Sequence, residues 1–479
     1  MSKLLGDKFK KDKRVTRAKK LLKEALKAHQ SKLTEIKPPD PKLKKSYDKM
    51  IADCSELRGG KLYYPYLSSG LGNGPLVELA DGSVKYDFIT GIGVHYFGHN
   101  YPKLLDASVD AALEDTIIQG NLQQSTTSLE LMDLLVKGAC RKGEGRNPSK
   151  LTHCFLTSSG AMANENALKM IFQKHSPASR LLVFNRSFAG RSLVCGQITD
   201  KPENRQGLPK VLDVDYIPFF DPAVPEESTR IAVEKLKGYL AQYPGQHAAM
   251  MFELIQGEGG YYPGDRAFFV ALMEILKQNK IAVFIDEIQT FGRTSELFAF
   301  QYYGLDDYVD VVSMGKMTQA CATLFCDEYI PKPNLISQTF TATSSAIHAA
   351  ITIVNELLKG KYLGKTGKIE QFSKRFIGNL QNFNQRYPEW VKGPFGLGAM
   401  VGFTVFDGSA EISKIFLKEL FDKGVIGFIA GKSPYRVRFL MPIGAVTVKD
   451  VDNVSQLIEK TIKSVKENYK KPRLGGAEE

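Results

Sequence analysis

The chain has 479 residues, 43% hydrophobic and 24% charged; this globular balance excludes disorder, and the length exceeds one ordinary core, so two or three compact units are expected. No stretch approaches the roughly 18 uninterrupted apolar residues of a membrane span, none suits secretion, and six scattered cysteines without a Cys-x-x-Cys pair or His cluster point to a reducing compartment, with no metal site; a soluble, cytoplasmic protein is expected. The net charge of +12 misleads: residues 1 to 50 carry +11 and the rest of the chain only +1, so only the N-terminal segment offers a charge patch to nucleic acid or anionic lipid.

In that segment Val15, Ala18, Leu21, Leu22, Ala25, Leu26 and Ala28 recur at helical spacing until Pro38-Pro39-Asp40-Pro41 stops the pattern. Residues 1–50 therefore read as a basic arm, expected to pack on another subunit or to lie solvated; contact with nucleic acid or membrane is the lesser reading. Lysine far outnumbers arginine, and Asp7, Asp12 and Glu24 interrupt the run, which argues against a mitochondrial transit peptide. Residues 51–100 include Leu76 to Phe88, two short strands joined at Asp81-Gly82.

From 101 to 360, apolar runs alternate with helical patterns. Strands are predicted at Leu151 to Thr157, Leu181 to Phe184, Ala248 to Leu254, Ile281 to Asp286, Val309 to Ser313 and Ala322 to Cys326, with helices from Met162, Arg266 and near Ser344. Strands separated by helices predict an α/β domain with a mainly parallel sheet. Residues 361–479 are richer in charge and read as a smaller α/β unit ending in a long helix, with 51–100 as the N-terminal part of that small domain.

Two residues carry the chemistry. Asp286 ends one buried apolar strand, and Lys316, thirty residues on in Ser313-Met314-Gly315-Lys316-Met317-Thr318-Gln319, ends the next. Such a pair fits pyridoxal phosphate: the lysine supplies the amine that joins the cofactor aldehyde, and the acid keeps the pyridine nitrogen protonated so that the ring can draw electrons. Burial would depress the lysine pKa and free its amine. Upstream, Ser159-Gly160-Ala161 stands where a strand turns into a helix, and free N–H groups at a helix start can hold a phosphate.

Five stretches in order resemble the class III, or ornithine-type, aminotransferases: Ser158-Ser159-Gly160-Ala161-Met162-Ala163-Asn164-Glu165-Asn166-Ala167-Leu168-Lys169, Phe188-Ala189-Gly190-Arg191-Ser192, Glu253-Leu254-Ile255-Gln256-Gly257-Glu258-Gly259-Gly260, Asp286-Glu287-Ile288-Gln289-Thr290 and Gly315-Lys316. The resemblance spans about residues 75 to 465. It implies a fold type I, pyridoxal-phosphate-dependent homodimer with active sites at the subunit interface. It further implies Phe188 stacked on the cofactor ring, Gln289 at the ring hydroxyl, and Thr339 reaching the neighbouring subunit's phosphate. Two departures stand out: Ala189 replaces the usual histidine, and Thr341-Ala342-Thr343-Ser344 replaces a Gly-Gly-Asn-type turn.

For the substrates, the resemblance implies that Arg438 takes the α-carboxylate of 2-oxoglutarate and that Glu258 masks it while the amine donor is bound. Gly315-Lys316-Met317-Thr318-Gln319 and Gly190-Arg191-Ser192 look most like the lysine 6-aminotransferase branch, which would give Arg191 the donor carboxylate and make L-lysine the donor. Ornithine, acetylornithine and 4-aminobutyrate are the alternative donors. An aminomutase or decarboxylase on the same fold, and a non-enzymatic nucleic-acid or membrane protein working through the basic arm, are the rival classes.

Overall fold

The computed structural model describes residues 4–143, 145 and 147–468. At its centre lies a seven-stranded sheet, whose strands we label β1 (His153–Thr157), β2 (Arg180–Phe184), β3 (Asp213–Ile217), β4 (His247–Phe252), β5 (Ala282–Glu287), β6 (Val311–Met314) and β7 (Cys321–Phe325). Their order is β1-β7-β6-β5-β4-β2-β3. Every residue of β4, β5, β6 and β7 is buried, as expected of strands covered on both faces.

All neighbouring pairs are parallel except those of β7, which runs antiparallel to both β6 and β1. The reason is the length of the link. Only residues 315–320 separate β6 from β7, too few for the crossover that a parallel neighbour requires. That tight link is the segment that carries Lys316.

Six of the seven strands coincide with the predicted apolar runs. β3 is the one not predicted, because Asp213 and Asp215 break its apolar pattern. Asp215 is held by Arg180 through two hydrogen bonds of 2.8 and 2.9 Å and lies 2.8 Å from His247, so an edge strand carries its acid inward against two bases.

A second sheet, antiparallel throughout, is built from Val391–Leu397, Met400–Val405, Tyr435–Leu440 and Phe428–Gly431. Helices Lys368–Arg386 and Val448–Asn468 are clamped together by Arg375 on Asp452 and Arg386 on Glu459. The hairpin Leu76–Leu79 and Val84–Asp87 turns at Asp81-Gly82 as predicted, and Val84–Asp87 pairs in parallel with Val425–Ile426. Segments more than 300 residues apart in the chain are thus joined in one sheet.

The basic arm departs from expectation. Helix α1 (Lys13–Gln30) docks on its own chain, along Pro102–Ala111, and is not free. Lys19 pairs with Asp110 at 2.5 Å, Lys23 with Asp106 at 2.8 Å, and Lys10 with Glu114. Buried Gln30 donates to the carbonyls of Gly72 and Asn100. Leu21 and Leu22, which the periodicity placed on the apolar stripe, stay exposed. Acids of the body, invisible to a periodicity argument, chose which face turns inward. Among the described residues no helix is long and apolar enough to cross a membrane.

Candidate active site

The carboxyl ends of β5 and β6 lie side by side, with Asp286 opposite Ser313 and Glu287 opposite Met314. Lys316 follows two residues later, in a single 3-10 turn, with a φ of 52° that the short link to β7 imposes. This puts Asp286 and Lys316 together where open α/β sheets gather their ligands.

Asp286 is 7% exposed and nearly saturated with donors: Asn164 Nδ2 at 2.9 Å and the Ile288 N–H at 2.8 Å. Burial nonetheless pushes its carboxyl above the usual range. Such a group stays ionised best with a cation against it. Burial likewise brings the Lys316 amine down to about 8; Arg438 assists this, while Glu258 and Asp286 oppose it.

That value fixes a pH dependence. Below about 8 the Lys316 amine of the cofactor-free protein is protonated, and above it neutral. Since only the neutral amine attacks an aldehyde, the rate of cofactor capture should rise through pH 8 and then level off. The sign for stability agrees. Between about 8 and the ordinary lysine pKa near 10.4, the unfolded chain holds a proton that the native chain has released, so stability rises with pH there. Stopped-flow absorbance on adding pyridoxal phosphate to the cofactor-free protein measures the first effect; a flat profile from pH 7 to 9 would contradict it.

Ser159 caps helix α2 (Gly160–His175), its hydroxyl accepting from the Met162 N–H at 3.3 Å. The first N–H groups of such a helix have no intrahelical partner. A Cβ on Gly160 would sit 3.0 Å from the Ile288 side chain, so the helix start lies hard against the Asp286 turn. Four residues along α2, Asn164 donates both to Asp286 and to the Ala189 carbonyl. The backbone of residue 189 therefore helps fix Asp286, and alanine in place of histidine leaves that contact intact.

Phe188 is half-buried, and its N–H is held by Glu253 at 2.8 Å. The other Glu253 oxygen takes the Gly257 N–H at 3.2 Å. Burial, helped by the charge of Asp286, pushes the Glu253 carboxyl up to about 8. Arg191 is exposed, its guanidinium 5.8 Å from the Phe188 ring.

Arg438, on strand Tyr435–Leu440, is 0% exposed and paired with Glu258. Burial opposes ionisation of Glu258, but Arg438 and then Lys316 outweigh it and hold the carboxyl below its usual range. Gln289 Oε1 accepts from Arg438 Nη1 at 3.4 Å, and a Cβ on Gly257 would strike the Gln289 amide at 2.5 Å. Lys201 stands 3.8 Å from the second Glu258 oxygen.

Thr339 is exposed, and its segment is anchored by its neighbour: Gln338 Oε1 accepts from Thr157 at 2.7 Å, two residues before Ser159. The departing turn has its own order. Ala342–Thr343 pairs with Ile117–Ile118, and Thr343 caps the helix Ser344–Lys359.

The structure thus gathers Ser159, Gly160, Asp286, Lys316, Gln289, Glu258 and Arg438, with Phe188 and Arg191 at one side. Sequence reasoning gave no role to Asn164, Glu253, Lys201 or Arg293. Arg293 is 1% exposed, and burial lowers it to about 10; its guanidinium binds the carbonyls of Gln289, Phe291 and Gly93, holding the Asp286 turn against the short helix Thr90–Gly93. A buried Asn in α2 and an Arg beside Gln289 were the available signals, both legible only once burial is known.

A seven-stranded sheet with one antiparallel strand, a lysine in the link beside it, an acid on the adjacent strand and a capped helix facing both define a fold type I pyridoxal phosphate enzyme. A family model, Aminotransferase class-III, matches residues 66–462. The chain belongs to the class III aminotransferases and is a pyridoxal-phosphate-dependent transaminase. It is 27% identical over 411 residues to an acetylornithine aminotransferase of Methanocaldococcus jannaschii, covering 82% of this chain and 93% of that protein. Among solved structures, a lysine aminotransferase from M. tuberculosis superposes with a TM-score of 0.72 at 22% identity, covering 82% of this chain and 93% of that one. An ornithine aminotransferase from Toxoplasma gondii superposes at 0.75 with 20% identity, covering 88% and 96%.

Proposed function

We propose that the enzyme moves a terminal amino group from L-lysine, or a similar ω-amine, to 2-oxoglutarate, giving a semialdehyde and glutamate. The observation that carries this reading is the Arg438–Glu258 pair beside Lys316. A fully buried guanidinium covered by a carboxylate would serve two substrates in turn: covered, it would leave the pocket open to an amine-bearing chain; uncovered by a turn of the Glu258 side chain, it would grip a carboxylate bidentately. Arg191, exposed beside Phe188, is placed to meet the donor carboxylate.

Bound pyridoxal phosphate supplies an electron sink for the substrate carbon that loses its proton. The residues do the rest. The first N–H groups of α2 and Ser159, Gly160 and Ala161 would hold the phosphate, and Phe188 would pack on the ring. Asp286, fixed by Asn164 and Ile288, would hold the proton on the ring nitrogen, and Gln289 would bind the ring hydroxyl. The Lys316 amine, neutral above about pH 8, would take the proton from the donor's terminal carbon and would carry it to the carbon that joins cofactor and substrate. The residues present fit the cofactor, because Asp286 is a buried acid that a ring cation would keep ionised and Lys316 a buried amine already depressed.

Thr339 is exposed in one chain, which suits a contact with a second subunit, so we take the working unit to be a cytoplasmic homodimer with interfacial sites. On the same reading the functional division is an arm (1–50), a large cofactor domain (101–360) and a small domain from 51–100 and 361–479. A second donor reading, N-acetylornithine, is favoured by the relatives at 27% identity. Absorbance of the purified holoenzyme, recorded on adding L-lysine, N-acetylornithine, ornithine or 4-aminobutyrate and then 2-oxoglutarate, tests this. Conversion by lysine and reversal by 2-oxoglutarate is the expected result. Conversion by N-acetylornithine alone transfers the assignment to that donor, and conversion that 2-oxoglutarate fails to reverse removes 2-oxoglutarate as acceptor.

A further inference from the structure

Behind the Glu258 segment is a cleft of about 770 Å³ that none of Lys316, Asp286, Phe188, Glu258 or Arg438 lines. Its walls come from both sheets. From the large sheet come Arg186, just past β2, and Phe219 and Phe220, just past β3; from the smaller one come Phe395 and Arg436; and Tyr262 closes it between them.

Its charge is unbalanced. Arg436 is only 5% exposed, has its guanidinium carbon over the rings of Tyr262 at 3.8 Å and Phe395 at 3.5 Å, and spends Nη1 on the Gly260 carbonyl at 2.6 Å. Its Nε, fully buried, has no hydrogen-bond partner. Neither Arg436 nor Arg186 forms an ion pair among the described residues. Arg186 also lies over the Tyr262 ring, 4.9 Å from its centroid, and its positive charge is felt at Arg436. The one carboxylate in the cleft, Asp221, is exposed and accepts from the Ala223 N–H.

Buried cations are normally paired, because an unpaired one bears the full cost of desolvation. Aromatic stacking offsets part of that cost for Arg436, but it leaves the in-plane Nε donor unused, and in-plane donors are what a carboxylate or phosphate takes from a guanidinium. Two arginines against one aromatic ring, with apolar walls from Phe219, Phe220 and Pro394, are complementary to an anionic head on an apolar body.

We propose that this cleft is a second binding site, separate from the catalytic one, for an organic oxyanion, a carboxylate or phosphate ester, that carries an aromatic or apolar body. Its position gives it a route to the catalytic site. Arg436 and Arg438 are two apart on one strand and so share a face, and Arg436 holds Gly260, two residues from Glu258. A ligand there pulls on the segment that carries the acid covering Arg438.

The test is calorimetric titration of the holoenzyme with 3-phenylpropionate and with phenyl phosphate. At least one should bind saturably at one per chain, at least ten-fold more weakly in Arg186→Gln and Arg436→Gln, and with little change in Arg438→Gln. Preference for one probe identifies the head group as carboxylate or phosphate. Arg186 is exposed, so its variant decides the matter should Arg436→Gln fold poorly. Absence of saturable binding by either probe at millimolar concentration would overturn the proposal, as would binding indifferent to Arg186→Gln, or binding abolished by Arg438→Gln and so belonging to the catalytic pocket.

Discussion

Lys316→Ala is expected to lose transaminase turnover by on the order of 10⁴-fold, the upper end of what one positioned acid–base group contributes. The loss is predicted to be larger than that of any other single substitution in the site, because the amine is asked both to hold the cofactor and to carry the proton. The fold should not suffer. The cofactor-free chain buries an amine whose charge is disfavoured there, so removing it relieves a desolvation cost, and the cofactor-free variant should resist urea at least as well as the cofactor-free parent. Steady-state rates, the visible spectrum of the purified protein and a urea transition together check this. A variant that retains a tenth of the parent rate would remove Lys316 from its assigned role, whereas one that is inactive because it is unfolded would show it in the urea transition.

Arg438→Gln is expected to split the two half-reactions. Its guanidinium is fully buried against Glu258, and removing one partner of a buried pair leaves the other uncompensated at a cost of about 3–5 kcal/mol. Lys201, 3.8 Å from Glu258, offsets some of that, so the lower end is expected. The KM for 2-oxoglutarate should rise by on the order of 10²–10³-fold, since a desolvated charge pair with a carboxylate substrate is lost. The donor half-reaction, for which Arg438 is covered, should change by less than about ten-fold, within the 1.4 kcal/mol that separates decades. Single-turnover kinetics of each half-reaction distinguish this from a general loss of structure. Equal losses on both sides would show that Arg438 acts as scaffold and does not read the acceptor.

The two outcomes depend on contacts of different range. Lys316 and Asp286 were legible because each lies close to the end of an apolar run and in a short motif; the structure lays those strand ends side by side, with Lys316 in the turn just beyond. Six of the seven strands of the large sheet followed from their apolar runs, and β3 escaped because an edge strand pairing Asp215 with Arg180 and His247 need not look apolar. Phe188 and Gln289 could be singled out only through the resemblance. What each touches, Glu253 for the first and Arg438 for the second, had to come from packing.

The sequence by itself determined the class of enzyme, the alternation of strands and helices, and the lysine and acid at its centre. The alternation is written in periodicity, the lysine and acid in motifs a few residues long, and the class in the resemblance that those motifs carry in order. Tertiary structure decided that Asn164 clamps Asp286 across 122 residues, that Glu258 covers Arg438 across 180, and that the basic arm lies on acids of its own chain. It also decided that Arg436 is left buried without an acid. These depend on which charges are desolvated together. Desolvation is a property of packed neighbours and not of neighbours in the chain, so no local pattern records it.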